Sequence, residues 1–204
     1  VRPPYQSIME FFQRLSAEDL TLKDKLASDL FMSQGITFTV YSDNSGIERI
    51  FPFDILPRII THEEWDFVER GIRQRLLALN HFLRDIYHEQ QILKDNVVPA
   101  WLVASCPHFN RQAFGIQVPF NIYLHISGID LIRGEEGKFY VLEDNLRTPS
   151  GVSYMLENRE VTKRIFPELI AGNQIKMVSN YPLLLHSILM SLSPRPISHP
   201  TVVL

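Results

Sequence analysis

The sequence predicts a protein of the α+β or α/β class, in which a mixed or antiparallel sheet is flanked by helices. The first observation is that apolar residues recur at three- and four-residue spacing in several segments, as they do on one face of an amphipathic helix. The second is that alternating apolar and polar residues lie on both sides of two short polar turns, which is typical of β-hairpins.

The helical segments alternate with breakers that set their limits. Ser16 is the predicted N-cap of the second helix, and Thr61 and Glu64 have the spacing of a capping box at the start of the third. Pro167 is expected to end the helix that follows Ser150. The predicted helices are Tyr5–Leu15, Ala17–Phe31, Thr61–Leu93, Ala100–Cys106, Ser150–Arg164 and Tyr181–Leu192.

Two hairpins are predicted. The first has a strand from Ile36, a turn at Asp43–Gly46 and a return strand at Ile47–Phe53. The second pairs Asn121–Ile132 with Lys138–Glu143 across a four-residue turn. The turn of the second hairpin is Gly134, Glu135, Glu136 and Gly137.

The second hairpin gathers the acidic residues that are most informative about function. If Arg133 faces Lys138 across the turn, Asp130 faces Val141, and the strand period of two then divides the side chains into a polar and an apolar face. The polar face carries Asp130, Glu143 and Asn145, and the apolar face carries Ile129, Leu131, Tyr140 and Leu142. A slip of one residue would exchange Glu143 for Asp144, so the pattern alone leaves both acids open.

Two carboxylates and an amide oxygen suit Mg²⁺, which takes oxygen ligands and is usually held by one or two carboxylates together with substrate phosphates. Arg147, just beyond the second strand, is a candidate to balance phosphate charge. The alternative is a surface hairpin with solvated acids, which is how Glu135 and Glu136 are best interpreted. Four arginines of the long helix could meet phosphate, but most of them are expected to be solvated or paired along the helix, as Arg73 with Glu69. They are Arg70, Arg73, Arg75 and Arg84.

The hairpin sequence resembles the metal-binding segment of circularly permuted ATP-grasp proteins, the group that includes glutathionylspermidine synthetase-like ligases. The resemblance lies in Gly128–Arg133 and Val141–Arg159, and it extends to Phe53–Ile60 and Gly71–Leu83. It therefore covers most of the chain, and it implies that the fold is part of an ATP-grasp fold.

The resemblance implies roles for particular residues. In ATP-grasp enzymes an aspartate on one strand and a Glu-x-Asn on the next hold the Mg²⁺ ions that bridge the ATP phosphates, and Asp130, Glu143 and Asn145 match those positions. Gly128 departs from the pattern, because the glutathionylspermidine synthetases are expected to have an arginine two residues before the aspartate. Arg147 or Arg133 is the candidate replacement, and Arg58 and Ser150 are candidate contacts to the nucleotide or substrate.

Composition excludes several classes of protein. The net charge of −3 and the isoelectric point near 6.2 disfavour general binding to nucleic acids or anionic membranes. A single cysteine cannot form an internal disulfide, and the apolar runs are too short to span a bilayer. A cytoplasmic location is therefore expected.

The predicted function is an ATP- and Mg²⁺-dependent ligase that joins a small-molecule or peptide carboxylate to an amine or thiol through an acylphosphate. The alternative is a non-catalytic module that keeps the fold for binding or assembly. Residues 1–192 are expected to be the N-terminal part of such a protein, and 193–204 a linker and the first strand of a following domain that completes the ATP site. The fragment alone is expected to be inactive.

Overall fold

The computed structural model describes residues 3–42, 45–193 and 197–202. Its strands pair antiparallel in two separate hairpins, as far as the described residues extend. The helices are α1 Pro3–Phe12, α2 Ala17–Ser33, α3 His62–Ile86, α4 Gln91–Lys94, α5 Ala100–Ser105, α6 Val152–Ile165, α7 Pro167–Ala171 and α8 Tyr181–Ser191. The strands are β1 Thr37–Ser42, β2 Ser45–Ile50, β3 Gly128–Arg133 and β4 Phe139–Asn145. The chain forms two compact units, one of Val1–Thr61 with Ser150–Leu184 and the other of His62–Pro149 with Leu185–Leu204.

The first unit contains the best-buried core. Phe31 and Phe166 are fully buried, and the ring of Phe166 lies edge-on to those of Phe11 and Phe12, with centroids 5.9 and 5.1 Å apart. The core residues come from α1, α2, α6 and α7 and from Phe166, which lies between α6 and α7. The helical ones are Ile8, Ala27, Phe31, Val161, Ile165 and Leu169. Burial of apolar surface on this scale is the main force that holds these four helices together.

The capping of α2 follows the sequence prediction. The Ser16 hydroxyl accepts a hydrogen bond from the backbone N–H of Asp19, and the Ser16 backbone N–H donates to the Asp19 carboxylate. The Ser16 hydroxyl also donates a hydrogen bond of 2.7 Å to the Asp19 carboxylate. This bond first, and then the one from the Ser16 backbone N–H, lowers the pKa of Asp19 below its ordinary value. The helix therefore begins where a capping box satisfies backbone donors that its first turn would otherwise leave unpaired.

In the second unit, α3 is shorter than the sequence predicts. The predicted helix runs to Leu93, but α3 ends at Ile86 and a separate short helix, α4, begins at Gln91. The reason is that Gln90 takes a left-handed conformation, while the Asp85 carboxylate accepts hydrogen bonds from the backbone N–H groups of Gln91 and Ile92. Asp85 thus satisfies the donors at the start of the next helix, which makes the break stable.

The predicted limits of the second hairpin also need correction. The sequence predicts its first strand from Asn121, but β3 begins at Gly128. Phe120 and Asn121 have positive φ angles of 57° and 55°, and the backbone N–H of Tyr123 donates to the Asn80 side chain of α3 rather than to a strand. The predicted turn of the first hairpin includes residues 43 and 44, which lie outside the described residues, as does part of the predicted final strand. Within the described chain, no helix is long and apolar enough to cross a membrane.

Candidate functional site

The candidate site is built on the β3–β4 hairpin of the second unit. Asp130 lies opposite Glu143, and Gly128 lies opposite Asn145. Because directly opposed residues of an antiparallel pair share a face, this register puts Asp130, Glu143 and Asn145 on the same side of the hairpin. The prediction that these three residues share one face is therefore confirmed. The register that would put Asp144 on that face in place of Glu143 is not adopted.

The pairing that produces this face differs from the predicted pairing. Arg133 lies opposite Phe139 rather than Lys138, and a register shift between Asp130 and Leu131 leaves Leu142 as an extra residue in β4. Such a β-bulge moves the pairing by one further residue. The prediction was consequently wrong for Tyr140, which lies opposite Ile132 and shares the face of Asp130.

The two faces of the hairpin differ in exposure. Asp130, Glu143 and Asn145 are exposed, whereas Ile129 and Asp144, which oppose each other, are partly buried. The face with the candidate metal ligands is therefore the solvent-accessible one in the second unit. A cation and its attached waters can reach it without displacing core residues.

Glu143 and Asn145 are already in contact. The Asn145 amide nitrogen Nδ2 donates a hydrogen bond of 3.2 Å to Glu143 Oε1. This bond uses the nitrogen of the amide and leaves its oxygen, the atom that binds cations, for another partner. The described residues contain no group of three or more His, Cys, Asp or Glu side chains arranged for a metal. The donor set here is instead two carboxylates and an amide, which fits Mg²⁺ completed by water and phosphate oxygens.

Arg133 and Asp144 lie on the opposite face, and each is held by helix α3. Arg133 donates two hydrogen bonds to the Glu64 carboxylate, at 2.8 and 3.0 Å, and its guanidinium lies 4.5 Å from the centre of the Phe139 ring. Arg75 donates to both carboxylate oxygens of Asp144 at distances between 2.6 and 2.9 Å. These contacts already engage the Arg133 guanidinium with Glu64, so Arg147 is the stronger of the two candidates for phosphate binding.

The pair of Arg75 and Asp144 also shifts proton affinities. Hydrogen bonds from Arg75 hold the pKa of the Asp144 carboxyl below its ordinary value, although burial of Asp144 acts in the other direction. The same hydrogen bonds raise the pKa of Arg75. Both groups therefore stay charged near neutral pH, and the Asp144 carboxylate is paired with the Arg75 guanidinium.

Arg147 is exposed and lies two residues beyond the end of β4. Its guanidinium Nη1 is 3.2 Å from His108 Nδ1. Because arginine only donates hydrogen bonds, His108 is the acceptor in this contact. The sequence does not single out His108, because it lies 39 residues earlier with no pattern that links it to Arg147.

Gly128 has no room for a side chain. A Cβ atom there would lie 2.9 Å from the Cβ of Pro149 and 3.5 Å from that of Asn145. The absence of the arginine expected at this position is thus part of the local packing, since Pro149 occupies the space. A positive charge for phosphate has to come from elsewhere, and Arg147 is the candidate in this unit.

Arg58 and Ser150 belong to the first unit. Arg58 is exposed in the irregular segment between β2 and α3, where Phe53, Ile55 and Ile59 pack against the core. Ser150 is exposed just before α6. Both remain predicted contacts to nucleotide or substrate.

Comparison with known proteins assigns the family. The model of the family described as circularly permuted ATP-grasp type 2 matches residues 57–204. The chain belongs to this family. An uncharacterized protein of Synechocystis is 45% identical over 202 residues, which are 99% of this chain and 42% of the relative. An uncharacterized protein of Mycobacterium leprae is 45% identical over 203 residues, which are 100% of this chain and 36% of the relative.

A more distant relative has a functional name. A Frankia alni protein named "Putative glutamate--cysteine ligase 2-3" is 38% identical over 196 residues, which are 95% of this chain and 22% of that protein. The chain spans about two fifths of the length of the first two relatives.

Proposed function

We propose that this chain carries the Mg²⁺-binding part of an ATP-dependent ligase that joins a carboxylate to an amine or a thiol through an acylphosphate. The observation that carries the proposal is the register of the hairpin, which places Asp130, Glu143 and Asn145 on one exposed face. The family adds the expectation of ATP as the co-substrate. Mg²⁺, when bound, offsets the charge of the transferring phosphoryl group and holds it in line with the acceptor.

The residues of the chain have distinct parts in this proposal. Asp130 and Glu143 would hold the cation through carboxylate oxygens, and Asn145 through its amide oxygen. Arg147 would donate hydrogen bonds to a phosphate oxygen, and its contact residue His108 supplies no negative charge that would compensate the guanidinium. Charge-assisted hydrogen bonds of this kind are stronger than neutral ones, so they suit the transition state of phosphoryl transfer.

The substrates are proposed by class. The name of the Frankia relative suggests L-glutamate and L-cysteine as the first pair to test, although this chain corresponds to 22% of that protein and the name describes the whole. A broader screen would incubate the whole protein with ATP, Mg²⁺ and mixtures of carboxylates and amines, and would detect ligated products by mass spectrometry.

The test of the metal assignment is Glu143→Gln in the whole protein, with Glu135→Gln as the matched control. Both substitutions remove one negative charge from the same hairpin, but Glu135 lies in the exposed turn rather than on the candidate face. A neutral amide holds Mg²⁺ less strongly than a carboxylate does, so Glu143→Gln should abolish Mg²⁺-dependent ADP formation while Glu135→Gln retains it. Wild-type turnover in Glu143→Gln would refute the assignment.

The alternative of a non-catalytic module rests on Gly128, which replaces the expected arginine. It predicts that wild-type protein binds Mg²⁺ and ATP without forming ADP in the presence of any acceptor. The same assay separates the two functions, because only the ligase shows a Glu143-dependent turnover.

A further inference from the structure

Asp144 lies between two candidate metal ligands but does not share their face. It opposes Ile129, whereas its neighbours Glu143 and Asn145 oppose Asp130 and Gly128. Its side chain is only 16% exposed, and both of its oxygens accept hydrogen bonds from the Arg75 guanidinium, the shortest at 2.6 Å. The backbone of the Glu143–Asn145 segment is therefore held at its central residue by a two-oxygen contact to helix α3.

Strand pairing holds the same segment from one side only. The β-bulge at Leu142 interrupts the ladder immediately before Glu143, and Leu142 itself is 66% exposed. Among the described residues, β4 pairs with β3 alone. Two-stranded hairpins are at best marginally stable without packing against another element. The contact to α3 thus supplies a restraint that strand pairing does not.

A second ion pair on α3 offers a comparison. Glu64 and Arg75 are eleven residues apart, which is close to three full helical turns, so both lie on the same side of α3. Glu64 binds Arg133, whose opposite residue, Phe139, is the first residue of β4. The two pairs have opposite polarity, since the helix supplies the acid in one and the base in the other. Docking the hairpin in the reverse direction would bring like charges together, so the pairs also fix its direction along α3.

We propose that Arg75 and Asp144 are positioning residues for the metal site, because their contact holds the segment whose outer residues, Glu143 and Asn145, face the cation. This inference rests on the proposed function of the hairpin as a Mg²⁺ site. Neither Arg75 nor Asp144 would itself contact the cation. Asp144 orients its two neighbours from the opposite face, and Arg75 orients Asp144.

Arg75→Gln separates positioning from simple charge effects. Removal of a positive charge near a cation site should strengthen cation binding if only Coulomb attraction matters. Loss of positioning should weaken it, because substitution of residues that orient metal ligands typically costs about 10- to 100-fold in metal affinity. The two explanations therefore predict opposite signs for the same variant.

The matched control is Glu64→Gln, which breaks the other ion pair on the same helix at the end of the hairpin near the turn. It should lower the melting temperature as Arg75→Gln does, but it should leave cation affinity unchanged, because its partner is separated from the candidate ligands by the bulge. A merely structural role for Arg75 predicts that the two variants behave alike in both measurements.

The experiment measures Mn²⁺ binding to the whole protein by electron paramagnetic resonance, together with the Mg²⁺ concentration for half-maximal ADP formation. Arg75→Gln is expected to raise both constants by about 10- to 100-fold with a smaller effect on turnover at saturating Mg²⁺. Arg75→Lys keeps the charge but loses the two-oxygen contact, so it should weaken Mn²⁺ binding too and serves if Arg75→Gln does not fold.

The outcomes distinguish this inference from the proposed function. Wild-type protein that binds Mn²⁺ through Glu143, with unchanged or tighter binding in Arg75→Gln, would overturn the positioning role and leave the metal site in place. Wild-type protein whose Mn²⁺ binding is insensitive to Glu143→Gln would refute the proposed site, and the positioning role with it.

Discussion

The packing around Gly128 predicts the direction in which Gly128→Ala changes the stability of the protein. In Gly128→Ala the new methyl group would lie 2.9 Å from the Cβ of Pro149, closer than carbon atoms pack, so Pro149 or strand β3 has to move. Forcing an extra methyl group into a filled space typically costs about 1–3 kcal/mol. Replacing glycine also removes freedom from the unfolded chain, which returns about 0.4–1 kcal/mol. The expected net loss of stability lies between about 0 and about 2.6 kcal/mol, with a central value of about 1.3 kcal/mol.

Gly71→Ala is the control with the opposite expectation. Gly71 lies inside α3, and among the described residues no atom beyond the neighbouring helix backbone comes within 4 Å of the place that a methyl group there would take. Alanine in a helix interior is favoured over glycine by about 0.5–1 kcal/mol, so this variant should be more stable than wild type. The same chemical change therefore has opposite effects at two positions of the second unit.

The assay is thermal and urea unfolding of both variants, followed by circular dichroism. For a chain of this length, about 1 kcal/mol corresponds to about 2–4 °C in melting temperature. Gly128→Ala should melt below wild type and Gly71→Ala above it. A Gly128→Ala protein as stable as Gly71→Ala would show that Pro149 yields easily, and that packing does not explain the missing arginine.

Two further predictions concern charged groups. Arg147→Ala should lower ADP formation by the whole protein about a hundredfold or more, because it removes a phosphate contact made in the transition state. Arg70→Ala, on the exposed side of α3, should leave ADP formation almost unchanged. Equal losses of activity in the two variants would show that Arg147 has a structural role. Because hydrogen bonds from Ser16 lower the pKa of Asp19, the charged carboxylate stabilises the folded protein at pH values above about 3.9, the pKa of Asp in the unfolded chain. This stabilisation is lost as the pH falls through the lower pKa of Asp19 in the folded protein. The melting temperature of Asp19→Asn should therefore lie below that of wild type at neutral pH and approach it below about pH 4, and a constant difference would contradict the assignment.

The face of the candidate ligands could be predicted from the sequence although the register could not. Relative to the predicted pairing, the turn shifts β4 by one residue and the bulge at Leu142 shifts it by one more. The total shift at Glu143 is two residues, and because side chains alternate with a period of two, Glu143 lies on the predicted face. Tyr140 lies between the turn and the bulge, where only one shift applies, and its predicted face was wrong. The alternation of apolar and polar residues indicates which face of a strand a side chain occupies, but it does not indicate how many residues lie in a turn or a bulge.

Long-range polar contacts were the other limit of sequence-based prediction. Arg73 pairs with Glu69 within α3 as predicted, at 3.7 Å, because that pair is set by local helix geometry. Arg75 on the same helix instead binds Asp144, 69 residues away, a contact that no local spacing indicates. The spacing of Glu64 and Arg75 on one side of α3 was visible in the sequence, but their partners depend on how the hairpin packs.

A crystal structure of the whole protein with Mg²⁺ and a non-hydrolysable ATP analogue would show whether Asp130, Glu143 and Asn145 hold the cation. The predicted result is a Mg²⁺ ion about 2.0–2.1 Å from oxygens of these side chains, with phosphate oxygens and waters completing six ligands. A Mg²⁺ ion bound to the analogue but held by other side chains, with Asp130 and Glu143 left in solvent, would refute this assignment of the ligands.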